Sequence, residues 1–505
     1  MRKARNTQYA LLSWAAVLVL VIFSLLVLPA SPLRSGNSWV DTNAMLRIGQ
    51  LWLNGVLPFK DVFEQRGIVL YLVYLVANLF GKNGYVGLYI VEIINLIAIQ
   101  IILKKIFIDC FDGKKNYEAC VGSVVVPLLM ITNYSFKNGG SPEEFSLPWI
   151  LLSVLLVQKY FRDKNEKHFL GVGIALAIVF NIKYSLIGPW AALGMITFLS
   201  VIFEKRQVIK RISKILGFGI AGVLLVFIPI FIYLFITDSI DSFIDIYLIQ
   251  NLTGYTTKTL PLGSHLLEAL SMSFNGLVGK NVILLTVFPI ALALIKNKKV
   301  ALAIYLIFFS TQVLSYWALR SMAYMPIILL FIIYLTVVVC IMQYVDIKNV
   351  NIHLAMLCLI FVGALALVRQ SNPYVSLSRL GSPNNEDLSY KFAKKIDQLG
   401  GAKTLLYYNS LDLGVERYTD IPKSMRYFER TNINLPTKDK ALDNAVKDKS
   451  VDFVIVNERT RKVLVHKGYK AVDSCNNYDY ALVNNYSHKK RQVKYYLMKP
   501  KTGRE

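Results

Sequence analysis

Ionisable side chains are sparse in this chain, so the places where they gather beside aromatic rings are the places to look for chemistry. The richest is Ser31–Arg66, which holds Asp41, Arg47, Lys60, Asp61, Glu64 and Arg66, with Trp39, Trp52, Phe59 and Phe63 between them. Carboxylates exchange protons or hold cations, and arginines grip anions through a planar fork of donors. Further on, Ser141-Pro142-Glu143-Glu144 opens an apolar run, Lys183-Tyr184 separates two others, and Arg320 and Tyr324 precede Pro326. Glu92 sits inside an apolar run, where an ionisable group is expensive. Each has a structural alternative. Asp41 would serve as a helix N-cap, and Asp61 and Glu64 as solvated charges paired with Lys60. Glu143-Glu144 would mark the polar end of a span, Arg320 would snorkel to headgroups, and Lys183 would be a hairpin tip.

The composition says what must hold these residues. Of 505 residues, 55% are hydrophobic and 17% charged, and mean hydropathy is +0.46. A soluble domain carries about 25% charged residues, so an ordinary cytosolic enzyme is excluded. The apolar residues are bunched in runs near the ~20 that a bilayer demands of a helix. The net charge of +24 resides in short loops between these runs and in the tail, a pattern of orientation signals rather than of nucleic-acid binding.

Tyr9–Ala30 is uncharged and follows Arg2, Lys3 and Arg5, which predicts a first membrane helix with its N-terminus in the cytoplasm. Later spans are expected near 84–103, 118–133, 147–158, 168–182, 184–203, 215–237, 281–295, 300–317, 322–342 and 353–368, about eleven in all. Basic residues crowd alternate loops, at 104–115, 159–167, 205–214 and 296–299 and at Lys348. That alternation requires Gly67–Gly81 to be an interfacial or half-inserted helix, and it leaves the tail outside. The loop Ser31–Arg66, about 36 residues, is too long for a simple connection. Within it Thr42–Leu53 has helical apolar spacing and ends at Asn54-Gly55. A second long external loop, Asp238–Lys280, with Tyr255, Lys258 and His265, would suit gating of a lipid substrate.

From Arg369 the chain turns polar. Thr404–Tyr408, Asp452–Val456, Tyr480–Val483 and Val493–Met498 read as strands, and Leu388–Leu399 and Lys440–Lys449 as helices. The expected architecture is an α-helical polytopic membrane domain, 1–368, with external juxtamembrane helices, followed by a small extracytoplasmic α/β domain, 369–505. Five scattered cysteines and five scattered histidines provide neither a disulfide framework nor metal-ligand spacing.

The stretch Ser38–Tyr74 resembles the signature of the GT-C superfamily of glycosyltransferases, which includes protein O-mannosyltransferases and aminoarabinose transferases. Asp41, Asn54-Gly55, Pro58-Phe59-Lys60-Asp61, Arg66 and Leu70-Tyr71 match in order. So do the acidic residues Glu143-Glu144 at the mouth of a later helix pair and the basic-aromatic step Arg320/Tyr324. Arg66-Gly67-Ile68 departs from the Lys-Pro-Pro or His-Gly-Pro often found in the family. The resemblance implies an inverting glycosyltransferase that uses a sugar on a polyprenyl phosphate, outside the cytoplasm. Asp41 would take the acceptor's proton, and Arg66, Arg320 and Lys183 would meet the donor phosphate. Glu143, Glu144 and Asp61 would position the acceptor or hold a metal, which leaves a divalent cation open. The acceptor would be a cell-envelope glycan, lipid or protein, the tail would help to select it, and the setting would be a bacterial cytoplasmic membrane. A flippase or a polymerase for lipid-linked glycans is the competing reading; a transporter would spread its charges through the spans.

Overall fold

The computed structural model describes residues 2–34, 37, 39–81, 83–253, 260–371, 387–429, 435–478 and 492–501. The apolar runs are helices: α1 (Arg2–Val27), α2 (Val40–Leu53), α3 (Ile68–Phe80), α4 (Val86–Cys110), α5 (Asn116–Thr132), α6 (Pro142–Asp163), α7 (His168–Phe180), α8 (Gly188–Glu204) and α9 (Val208–Ile236). Then come α10 (Ile240–Phe243), a π-helical turn Ile244–Ile249, α11 (Gln250–Thr253), α12 (Leu262–Leu294), α13 (Lys298–Ser315), α14 (Ile327–Tyr344) and α15 (Val350–Ser371). This is a multi-pass membrane protein. Among the described residues seven helices are long and apolar enough to cross a bilayer, or eight if the bent α12 is one span. Eleven crossings are not reached on that measure: α5 and α7, placed as spans by the sequence, are shorter apolar helices. The expected loop 238–280 is largely helical as well. Leu262, Leu266, Leu270 and Phe274 recur at helical spacing there, a stripe masked by interspersed polar residues. Tyr255 and Lys258 of that loop lie outside the described residues.

Two compact units emerge. The first comprises Met1–Leu28, Glu92–Ile232 and Lys258–Ser378; the second comprises Pro29–Val91, Tyr233–Thr257 and Arg379–Glu505. In the first, α1 packs on α5 and α15, α5 on α14, α6 on α7, α8 on α13, and α12 on α13 and α14. On α9 the side chains of Ile209, Leu216, Ile220, Leu224 and Ile228 are exposed, as lipid-facing residues should be.

In the second unit α2 is buried over most of its length, including Arg47 and Gln50. It lies against α3, so closely at Gly49 that a Cβ there would come within 2.6 Å of the Tyr74 carbonyl carbon. The tail contributes α16 (Leu388–Gln398), β1 (Leu405–Tyr407), α17 (Pro436–Lys447), β2 (Phe453–Asn457), α18 (Glu458–His466), β3 (Tyr469–Tyr478) and β4 (Gln492–Pro500). The sheet order is β1-β2-β4-β3, with β1 and β2 parallel and the other pairs antiparallel. Side chains alternate across it: Phe453 and Ile455 pack with Phe392 and Ile396 of α16, whereas Val454 and Val456 pack with Val446 of α17 and Leu464 of α18. Helices on both faces explain why Phe453–Val456 is apolar without interruption. The predicted strand Tyr480–Val483 lies outside the described residues.

Candidate active site

Asp41 stands in the first turn of α2, whose N-cap is Trp39, so it is not the cap itself. Its carboxylate pairs with Arg66: Asp41 Oδ2 lies 3.3 Å from Arg66 Nη2, with 21% of the Asp41 side chain exposed. Arg66 is held from its other side by Glu64. The guanidinium Nη1 bonds Glu64 Oε1, and the Arg66 backbone N–H donates to Glu64 Oε2 (2.9 Å) and to the Tyr71 hydroxyl (3.0 Å). The Tyr71 hydroxyl in turn donates to Glu64 Oε2 at 2.8 Å. Glu64 is therefore a buried clamp. The alternative in which it pairs with Lys60 is overturned, because Lys60 Nζ binds Asp238 Oδ2 and the Thr237 carbonyl, each at 3.1 Å.

The connection that carries Glu64 and Arg66 is fixed at both ends. Phe59 has φ 68°, a left-handed conformation costly for an aromatic residue. It persists because its ring is buried against Tyr71 (5.4 Å) and Phe243 (5.2 Å). The Asn251 amide donates to the Gln65 carbonyl at 2.7 Å, and the Phe63 N–H donates to the Arg426 carbonyl at 2.7 Å. Asp61, expected near the acceptor or a metal, is exposed and accepts the Leu57 N–H at 2.8 Å, closing its own turn.

Beneath this group the α/β tail contributes a second set of buried charges. Arg47 donates to the carbonyls of Ile421 (2.7 Å) and Lys423 (2.9 Å) and approaches Glu416 at 3.9 Å. Arg417 donates to Asn78 Oδ1 at 2.9 Å, and the Tyr407 hydroxyl donates to Glu416 at 2.5 Å. Asp412 and Glu429 are buried together: the Asp412 N–H donates to Glu429 Oε2 at 2.6 Å, and the Gly414 N–H to Asp412 Oδ1 at 2.7 Å. Burial pushes both carboxyls well above the ordinary range, Asp412 further by Glu416, and Glu429 further by Asp412, Glu64 and Asp41.

In the first unit, Glu143 and Lys183 meet at 2.6 Å, with the Glu143 side chain fully buried. Lys183 Nζ lies 5.3 Å from the ring centre of Tyr324, and Lys137 Nζ lies 6.0 Å from the same ring. Lys183 is thus an ion-pair partner as well as a hairpin residue. The start of α6 is capped by Ser141, whose hydroxyl accepts the Glu144 N–H at 3.0 Å, and Pro142 takes the first helical position. Glu144 Oε2 accepts the Gly140 N–H at 2.7 Å. Glu92 is fully buried against the same turn, so near Gly139 that a Cβ there would meet its carboxylate. Arg320 is half-buried in the connection between α13 and α14 that also carries Tyr324.

The structure thus brings together Asp41 with Arg66, and Glu143 with Lys183, and leaves Asp61 apart in its turn. Sequence reasoning missed the clamp by Glu64 and Tyr71, the place of Lys137, and Glu429 altogether. Spacing held a trace of the first, since Glu64, Arg66 and Tyr71 flank one helix start; Glu429 leaves no local signal. Among the described residues no three His, Cys, Asp or Glu side chains gather in an arrangement able to hold a metal ion.

These helices and the α/β tail make up a fold that solved structures share. The chain is similar to the crystal structure of ArnT from Cupriavidus metallidurans in the apo state, with a TM-score of 0.58, 12% identity and coverage of 97% of this chain and 98% of that one. The same protein bound to undecaprenyl phosphate is similar with a TM-score of 0.55 at 12% identity, over 96% of this chain and 97% of that one. By sequence, the family described as "Putative competence-induced protein Ccs4 N-terminal domain" matches residues 2–353, and the chain belongs to that family. Among curated proteins none matches.

Proposed function

We propose that the protein is a glycosyltransferase that moves a sugar from a polyprenyl-phosphate carrier to a cell-envelope acceptor at the outer face of a bacterial cytoplasmic membrane. The observation that carries this reading is the pairing of a partly exposed Asp41 with Arg66, itself fixed by a buried Glu64. The fold it shares with ArnT, which has been crystallised with undecaprenyl phosphate, supports a lipid-phosphate donor.

In this reading Asp41 accepts the proton of the acceptor hydroxyl as the hydroxyl oxygen bonds to the anomeric carbon. The bond from that carbon to the phosphate oxygen breaks, and the polyprenyl phosphate leaves with the electron pair. A single displacement inverts the anomeric centre. Arg66 exchanges part of its contact with Asp41 for a phosphate oxygen as charge develops there. The N-terminus is cytoplasmic, and residues 369–505 form an extracytoplasmic domain that selects the acceptor.

The test is transfer in vitro by the purified protein from a panel of polyprenyl-phosphate sugars. Asp41→Asn should lower the rate by about 10²–10⁴, the usual worth of a positioned base, while the protein accumulates normally. Near wild-type transfer by that variant removes the base, and retention at the anomeric carbon removes the single displacement.

A further inference from the structure

Charge is unevenly divided along the tail. Residues 387–429 carry seven Lys or Arg against six Asp or Glu, whereas 436–470 and 492–501 together carry twelve against five. Most of the second set belongs to one face of the sheet, because Val446 of α17 and Leu464 of α18 pack there with Val454, Val456, Tyr496 and Met498. Lys440 and Lys447 of α17, Arg459 and Lys462 of α18, and Lys494 of β4 are exposed.

Two tyrosines hold cations on this face in the same way. The Tyr496 hydroxyl donates to Glu458 Oε2, and the Arg461 guanidinium carbon and Lys494 Nζ lie 4.6 and 5.5 Å from its ring centre. The Tyr408 hydroxyl donates to Asp443 Oδ1, and Lys467 Nζ lies 5.8 Å from its ring centre. The register that pairs Tyr407 with Ile455 sets Tyr408 beside Val456, and Val456 pairs with Tyr496 on the next strand. The two tyrosines therefore stand in one row across the sheet, two strand spacings or about 10 Å apart. Each carboxylate anchors its tyrosine and draws off part of the charge. The cations still face water, with the side chains of Arg461 and Lys467 41% and 34% exposed.

We propose that this face of the tail, formed by α17, α18 and β4, docks an acidic envelope polymer, a glycan or polyol chain with a negative group in each repeat, and that this polymer is the acceptor. The acceptor role rests on the glycosyltransferase reading above. A lone anion gains little from exposed cations. A chain that presents its next negative group once the first is bound sums several such contacts. Cations already seated on tyrosine rings also lose less freedom when the chain arrives. A bilayer fits the face less well: among the described residues of 436–470 and 492–501 the exposed large apolar side chains are Val463 and Val465. No aromatic side chain is exposed among them, either to anchor in a lipid interface or to stack on a nucleic-acid base. A neutral glycan would leave the excess of charge unused.

The test is binding by the full-length protein in phosphatidylcholine nanodiscs. Poly(glycerol phosphate) and hyaluronate, a phosphodiester and a carboxylate polymer, are offered beside neutral dextran, duplex DNA and phosphatidylglycerol vesicles. At least one acidic polymer should bind about tenfold or more tighter than dextran, and weaken by about as much between roughly 50 and 500 mM salt. Lys447→Glu with Lys462→Glu should weaken that binding about tenfold or more. Lys394→Glu with Lys395→Glu makes the same change of charge on α16 at the opposite face, and should alter binding by less than about twofold. Lys447→Gln with Lys462→Gln should cost about threefold, and decides the matter if charge reversal disturbs folding. No binding of either polymer, equal losses in the two reversed proteins, or tighter binding of DNA or of the vesicles overturns the proposal. In transfer assays the polymer that binds should be glycosylated, with KM raised about tenfold by Lys447→Glu with Lys462→Glu. Binding with no transfer from any polyprenyl-phosphate sugar refutes the glycosyltransferase reading and the acceptor role, and leaves the docking face in place.

Discussion

Replacing Arg47 by Met keeps most of the side-chain volume and removes the charge at the junction of α2 and the tail. Arg47 is 2% exposed; its two strong bonds go to the carbonyls of Ile421 and Lys423, and Glu416, 3% exposed, lies 3.9 Å from its Nε. The variant therefore leaves one buried carbonyl and one part-buried carbonyl short of donors, and a buried carboxylate short of its cation. A bond from a charged donor contributes about 1.5–3 kcal/mol. Breaking a buried ion pair from one side costs about 3–5 kcal/mol. The two describe overlapping losses and do not add, so the expected cost is about 3–5 kcal/mol. At about 1.4 kcal/mol per tenfold, local opening should become roughly 10² to 10³·⁵ times more frequent. Hydrogen exchange by mass spectrometry on peptides spanning 40–53 and 405–429 reads this directly. Adding Glu416→Gln should recover at least about 1 kcal/mol, since the stranded charge is then gone. A loss of protection below tenfold, or strict additivity in the double variant, would refute the account of a buried charge network joining these segments.

Arg47 also shows where sequence reading stops. The helix that carries it was legible from Met45, Ile48, Leu51 and Trp52 and from the Asn54-Gly55 stop, because those signals are local. Its partners are backbone carbonyls more than 370 residues away, and a carbonyl has no sequence signature. Glu64 illustrates the same limit from the other side. Next to Lys60 and Asp61 it reads as one charge of a solvated loop, yet the fold inserts its side chain beneath Arg66 and Tyr71. Asp41 and Arg66 were readable because their order along the chain follows a known pattern. The tail's strands beyond residue 404 were readable as apolar runs, although β3 (Tyr469–Tyr478), which is largely polar and lies at a sheet edge, was not. The α12 stripe was hidden by its polar residues, and composition alone does not set the number of crossings because short apolar helices and spans share it.

Gly49→Ala should push α2 from α3, because the new methyl would lie 2.6–2.7 Å from the backbone of Tyr74 and Leu75. Overpacking of this kind costs about 1–3 kcal/mol, and a thermal midpoint in detergent equal to that of the wild type would show that the two helices have room to separate. Asp412 supplies a pH test. Burial and Glu416 raise its folded-state pKa well above the unfolded value, so the folded protein binds this proton more tightly than the unfolded chain does. Its contribution is thus fully present below the ordinary carboxylate pKa of about 4 and declines as pH climbs from there toward the raised value. Asp412→Asn removes the ionisation and keeps the shape, so its unfolding midpoint should depend less steeply on pH across that range, with the gain over the wild type growing toward the alkaline end. Parallel curves for the two proteins would mean that Asp412 is ionised in the fold and balanced by Arg47, a reading that also predicts that Arg47→Met and Asp412→Asn together lose less than the sum of their separate losses.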